Sequence, residues 1–77
     1  MKDLVEILAK ALVDSPDKVQ VTETLDDKGS VIELKVAADD MGKVIGKQGR
    51  IAKSIRSVVK AAAFKENKKV LVEIVSE

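Results

Sequence analysis

Val44-Ile45-Gly46-Lys47-Gln48-Gly49-Arg50-Ile51 is the stretch on which the fold turns. Two glycines flank Lys47 and Gln48, an apolar pair precedes them, and an apolar-periodic segment follows. Glycine has no Cβ, so it tolerates unusual dihedrals and lets another backbone come close. The N-terminus of a helix presents unpaired N–H groups and partial positive charge, which suits an anion. A G-x-x-G loop that opens a helix, with Lys47, Arg50 and Lys53 around it, has the chemistry of a clamp for a sugar-phosphate backbone.

Downstream of the loop, residues 50–64 read as the longest helix. Ile51, Ile55, Val58, Val59 and Ala62 supply its apolar stripe, and Arg50, Lys53, Arg56, Ser57 and Lys60 fall elsewhere on the wheel. Asn67 is a helix terminator, Lys65–Lys69 a short basic loop, and Val70–Val75 a final strand with apolar residues on both faces. That strand is expected to join the same sheet and bury both faces. Upstream, residues 3–13 carry Leu4, Ile7, Leu8, Ala11 and Leu12 at helical spacing, with Asp3 as N-cap and Glu6 as its capping-box partner. Ser15-Pro16 stops that helix. Residues 18–25 alternate, with Val19, Val21 and Leu25 on one face. Asp26-Asp27-Lys28-Gly29 is hairpin-turn chemistry, and residues 31–38 return with Ile32, Leu34, Val36 and Ala38 inward. Asp39 or Asp40 then caps a short helix that reaches Val44 or Ile45. Two adjacent acids at a helix start read as cap and dipole partner rather than as a metal site.

The 77 residues allow one domain, spanning 1–77, with a small core. The absence of cysteine excludes disulfides and thiolate chemistry, and the absence of histidine removes the commonest general base and metal ligand. No segment reads as a secretory signal or a bilayer span, so a cytoplasmic protein is expected. The net charge of +1 hides a segregation. Residues 1–40 hold five lysines and ten acids, leaving −5. Residues 41–77 hold seven lysines, Arg50 and Arg56 against three acids, leaving +6. A basic half around a glycine loop reads as an anion-binding face.

Val44 to Ile55, VIGKQGRIAKSI, resembles the KH signature V-I-G-x-x-G-x-x-I-x-x-I, matching at Val44, Ile45, Gly46, Gly49 and Ile55 and departing at Ala52. Over its whole length the chain is similar to the small single-KH RNA-binding proteins of bacteria, the KhpA type. The resemblance implies an α+β fold, the type II KH domain, in the order α-β-β-α-α-β, with a three-stranded mixed sheet packed against three helices. It implies that single-stranded RNA lies between the loop and the sheet edge. Gly46, Lys47, Gln48 and Gly49 would touch the backbone, with Lys43, Arg50 and Lys53 adding charge nearby. Val44, Ile45, Ile51 and Ile55 would supply or support an aliphatic groove floor. Val70–Val72 would meet base edges, and Lys68 and Lys69 would flank the other side. The same resemblance implies a homodimer, or pairing with a larger Jag-type (KhpB) KH protein, and roles in post-transcriptional control or as an RNA chaperone in growth and division.

No cofactor, metal, membrane or small-molecule substrate is expected. A P-loop reading of Gly42–Gln48 fails: three residues rather than four separate the glycines, and Gln48 stands where Ser or Thr would hold magnesium. Phe64 is the only aromatic residue, so the stacked platforms of RRM and OB-fold surfaces are not expected. The rival reading is a KH-like fold that serves only protein contacts, acting through a larger KH partner. Lys47 and its positive surroundings argue against it, since a purely structural loop has no need of them.

Overall fold

The alternating segments pair as a hairpin in the computed structural model, which describes residues 1–27 and 29–77. Strands β1 (Gln20–Asp26) and β2 (Gly29–Val36) run antiparallel, with Gln20 opposite Lys35 and Asp26 opposite Gly29. The last strand, β3 (Val70–Ser76), joins the other side of β2 in parallel, with Ser30 opposite Val70 and Val36 opposite Ser76. The sheet order β1-β2-β3 puts the most deeply buried strand in the middle. Of the turn Asp26-Asp27-Lys28-Gly29, Lys28 lies outside the described residues.

Two helical elements cover one face of this mixed sheet. Helix α1 (Lys2–Leu12) rests on β1 and β2, and α2 (Ala38–Lys65) rests on β3 and touches α1. A single 3-10 turn, Pro16–Lys18, links α1 to β1. Helix α2 is broken at residues 46–49, which leaves limbs 38–45 and 50–65. Counted as two helices, the limbs complete the α-β-β-α-α-β order of an α+β KH domain. Between the layers lie Val5, Ile32, Leu34, Val36, Val44, Ile55 and Val59, each at most 1% exposed. Burying each such side chain contributes about 1.5–3 kcal/mol.

The buried faces differ from the expected ones in particulars. Helix α1 presents Val5 and Ala9 to the core, while Ile7 is 67% exposed. Its N-cap is Met1, with no side-chain cap; Glu6 instead accepts a 2.8 Å hydrogen bond from Lys10, which holds its carboxyl below the usual range. Limb 50–65 buries Ala52, Ile55, Val59 and Ala63 and leaves Val58 outside. Ala52 is 5% exposed, so the alanine that departs from the KH pattern is a packing residue. Ala38 is exposed and begins α2 instead of ending a strand. Strand β1 buries little, and its Leu25 is among the most exposed apolar residues. The expectation that β3 buries both faces is corrected: Val72 is buried, but Leu71 and Glu73 point away from the helices and are exposed. Only one face of the sheet is covered.

Two local devices fix the relation of the elements. Asp40 does not cap its own helix, whose N-cap is Ala37. Its carboxylate, 2% exposed, accepts the Asp14 N–H at Oδ1 and the Ser15 N–H at Oδ2, both at 3.0 Å. It therefore satisfies the chain leaving α1 and ties it to the first turn of α2. Asp39 stays in solvent. Gly29 sits at φ +140, and a Cβ there would collide with the Lys69 carbonyl oxygen. That oxygen is committed, since it accepts the Ser30 N–H at 2.9 Å where β3 joins β2.

Two substitutions check these devices by thermal or urea unfolding. Asp40→Ala should destabilise the domain by about 2–3 kcal/mol, because two amides lose a charged acceptor. Gly29→Ala should cost about 2–3 kcal/mol through backbone strain and the displaced Lys69 carbonyl.

Candidate nucleic-acid interface

The break in α2 is built from four unusual residues. Gly46 is extended, at φ −64 and ψ 171, and turns the chain out of limb 38–45. Lys47 (φ 53, ψ 47), Gln48 (φ 65, ψ 25) and Gly49 (φ 71, ψ 29) then form a run of left-handed residues before limb 50–65 begins. For a residue with a Cβ this region costs roughly 1–2 kcal/mol. Gly49 escapes that cost, whereas Lys47 and Gln48 bear it.

The two glycines have different explanations. Gly49 is needed by its positive φ. Gly46 is not: φ −64 suits any residue, and a Cβ there would have nothing within 4 Å. Neither conformation nor internal packing accounts for glycine at 46. A ligand backbone that approaches closely from outside would do so.

The remaining residues predicted for the site fall into distinct places. Lys47, Gln48, Arg50 and Lys53 are exposed around the loop. Lys43 lines a 300 Å³ hollow with Gly42, Gly46, Lys47, Arg50 and Ile51, and its ammonium donates to Asp14 at 3.0 Å. Such an exposed pair is worth about 0–1 kcal/mol, so an incoming anion can compete for the lysine. Ile45 is 52% exposed beside the loop, but Val44 is fully buried and supports the loop from beneath. Ile55 is likewise core, and Ile51 is half-buried.

Lys68 and Lys69 stand apart from the loop, at the start of β3. They line a second groove, of about 400 Å³, with Arg56, Lys60, Ala63, Phe64 and residues 70–72. The end of α2 holds them in place. Asn67 takes the left-handed conformation at φ 57, the Asn67 N–H donates to the Phe64 carbonyl at 3.0 Å, and the Lys68 N–H donates to the Ala63 carbonyl at 2.8 Å. This is the Schellman closure, with asparagine in the place of the usual glycine. Among the described residues strand β3 has β2 as its only sheet neighbour, and its residues 70–72 line the groove.

Arg56, Lys60 and Phe64 were not among the residues predicted for the site. A signal for them was in the sequence: Gly49, Lys53, Arg56, Lys60 and Phe64 follow spacings of four, three, four and four, one stripe of a helix. Among the described residues, no ion pair holds Lys47, Arg50, Lys53, Arg56 or Lys60, while Lys68 lies 3.9 Å from Glu66. The positive charge of this side is therefore largely unneutralised. No group of acids or other donors among the described residues could hold a metal ion, and no helix of the structure is long and apolar enough to cross a membrane.

Comparison with known proteins agrees with this geometry. Residues 2–74 match the family model described as KhpA/KhpB, KH domain. An RNA-binding protein KhpA of Clostridium perfringens is 68% identical over 75 residues, covering 97% of this chain and 100% of the relative. The KhpA of Aquifex aeolicus is 53% identical over 96% of this chain and 94% of its own length. That of Borreliella burgdorferi is 42% identical over 94% and 88%. These relatives are named for binding and not for catalysis. No solved structure matches the chain. With nearly its whole length inside the match, the chain belongs to the KhpA/KhpB family of KH domains.

Proposed function

We propose that this chain binds single-stranded RNA, with the loop Gly46–Gly49 clamping the sugar-phosphate backbone. The observation that carries the reading is Gly46, a glycine that the protein's own packing leaves unexplained, beside Lys47, Arg50 and Lys53, which no ion pair holds among the described residues. A phosphate seated over Gly46 would meet the N–H groups that open limb 50–65 and the side chains of Lys47, Arg50 and Lys53. Lys43 joins them by exchanging Asp14 for phosphate. Ile45 and Ile51 offer an aliphatic surface to bases, resting on Val44. The close relatives named as RNA-binding proteins support the same reading.

The left-handed run has a purpose in this scheme. Three fixed residues in an uncommon conformation hold the loop open before ligand arrives, so less order has to be imposed on binding. One clamp of about four nucleotides gives modest affinity. Pairing of two copies, or with a larger KhpB-type KH protein, would add avidity through effective concentration. In that form the chain would act in the cytoplasm, as a post-transcriptional regulator or RNA chaperone connected with growth and division. The reading as a protein-contact module alone leaves Gly46 and Lys47 without a role.

Titration of a short single-stranded RNA against salt tests the clamp. Wild-type log Kobs should fall linearly with log salt, by about 0.7 per neutralised phosphate. The double variant Lys47→Asp, Gln48→Asp should lose binding by at least about a hundredfold while its far-UV spectrum and melting temperature persist, since like charge then faces the phosphates. Equal binding by the two proteins would refute the clamp. Gln48→Gly separates strain from contact: unfolding should show stability raised by about 0.5–1 kcal/mol, the left-handed strain outweighing the extra freedom of the unfolded chain.

A further inference from the structure

We propose that Phe64 is a stacking platform for an RNA base, at the far end of a nucleic-acid track that begins at the glycine loop. The inference rests on reading that loop as an RNA clamp and extends the track along β3. Phe64 is the only aromatic residue of the chain and is 86% exposed. A phenylalanine left in water forfeits the burial that would stabilise it in the core. Its surroundings show what could cover it. It lines the 400 Å³ groove together with Arg56, Lys60, Lys68, Lys69 and Leu71, the last 57% exposed. An aromatic face bordered by four cations matches a polyanion that carries flat apolar rings.

Helical geometry connects this groove with the loop. Lys53, Arg56, Lys60 and Phe64 occupy one stripe of limb 50–65, which Gly49 immediately precedes, and Phe64 lies about 21 Å from Arg50 along the helix axis. A strand held at the loop and laid along this stripe would meet Lys53, Arg56 and Lys60 in turn before it reached Phe64. The open rim of β3 runs beside the same groove and offers peptide donors and acceptors to base edges. The main chain that carries the ring is fixed in place, because the Phe64 carbonyl accepts the Asn67 N–H and the Lys68 N–H closes the helix end. A second copy of this chain is a poor occupant, since apposed grooves would set Arg56, Lys60, Lys68 and Lys69 against their counterparts. A single platform suffices, because each base–aromatic stack stands on its own and tolerates any base.

Fluorescence anisotropy with two probes of equal charge tests the proposal: an RNA octamer of mixed sequence and an abasic ribose-phosphate octamer. Phe64→Ala should weaken binding of the RNA about ten- to a hundredfold. It should leave the abasic probe bound within about twofold and the salt slope unchanged, because no phosphate contact is lost. Phe64→Leu should behave like Phe64→Ala, while Phe64→Trp should bind at least as well as wild type. The chain has no other tryptophan, so quenching of the Phe64→Trp emission by RNA would report stacking directly. With Phe64 in solvent, all three variants should melt within a few degrees of wild type, which separates loss of binding from loss of fold.

Unchanged RNA affinity in Phe64→Ala, full rescue by Leu, or an unquenched Trp would overturn the platform. So would a change confined to sedimentation behaviour, which would mark Phe64 as a protein contact. The Lys47→Asp, Gln48→Asp variant separates the two levels. If it loses RNA and Phe64→Ala does not, the clamp stands and the platform falls. If wild type binds neither probe, both fall.

Discussion

The parallel pairing of β2 with β3 is the constraint on which the rest of this domain depends. Parallel neighbours cannot be joined by a tight turn; the chain must cross the sheet and come back to the end from which it started. Here the crossing is α2, whose 28 residues would run about 42 Å if straight. The longest extent of the molecule is 34 Å. A continuous rod would overshoot the sheet that it has to cover. The helix must fold back, and Gly46–Gly49 is where it does. The loop is thus the place at which the crossover reverses, and the chemistry proposed for it uses a corner that the topology requires.

The corner would be of little use if its walls could move. Limb 38–45 is secured at its start by Asp40, which holds the exit of α1, and at its end by Val44 in the core. Limb 50–65 is held through Ala52, Ile55, Val59 and Ala63 and is closed by the left-handed Asn67. Between two anchored limbs, the uncommon dihedrals of Lys47 and Gln48 are imposed by their surroundings. The charge distribution follows the same division. The acidic half of the chain makes α1, the hairpin and the buried clasp, and the basic half makes the loop, the second limb and the mouth of the groove.

The loop and the element order were legible in the sequence because each has a local chemical cause. The glycine pair, the alternation of Val31–Val36 and the asparagine after the second limb act within a few residues of themselves. The errors arose where tertiary packing selects among several apolar positions. In α1, Leu4, Ile7 and Ala11 fit a helical stripe as well as Val5 and Ala9, and only the position of the sheet decides between them. In α2, Val58 fits the apolar stripe yet is 41% exposed, whereas Ala52, where the chain departs from the KH pattern, is 5% exposed. The sequence offers Asp39 or Asp40 as a cap, yet the partners of Asp40 lie 25 and 26 residues away, beyond the reach of any local rule. One aromatic residue is too few to make a pattern, so the sequence does not single out Phe64. Its exposure and its neighbours are properties of the groove.

The strand register has a further consequence, for the order in which the domain can form. Every pair between β1 and β2 closes a short loop, the widest being Gln20 with Lys35. Every pair between β2 and β3 joins residues forty apart, from Ser30 with Val70 to Val36 with Ser76. Long closures are entropically costly and slow, so the hairpin can assemble early while the third strand waits for the crossover. One wall of the 400 Å³ groove is that third strand. A chain caught midway through folding can hold its hairpin and its helices and still have no groove. That groove is therefore completed only by the last docking event, when the third strand supplies its wall.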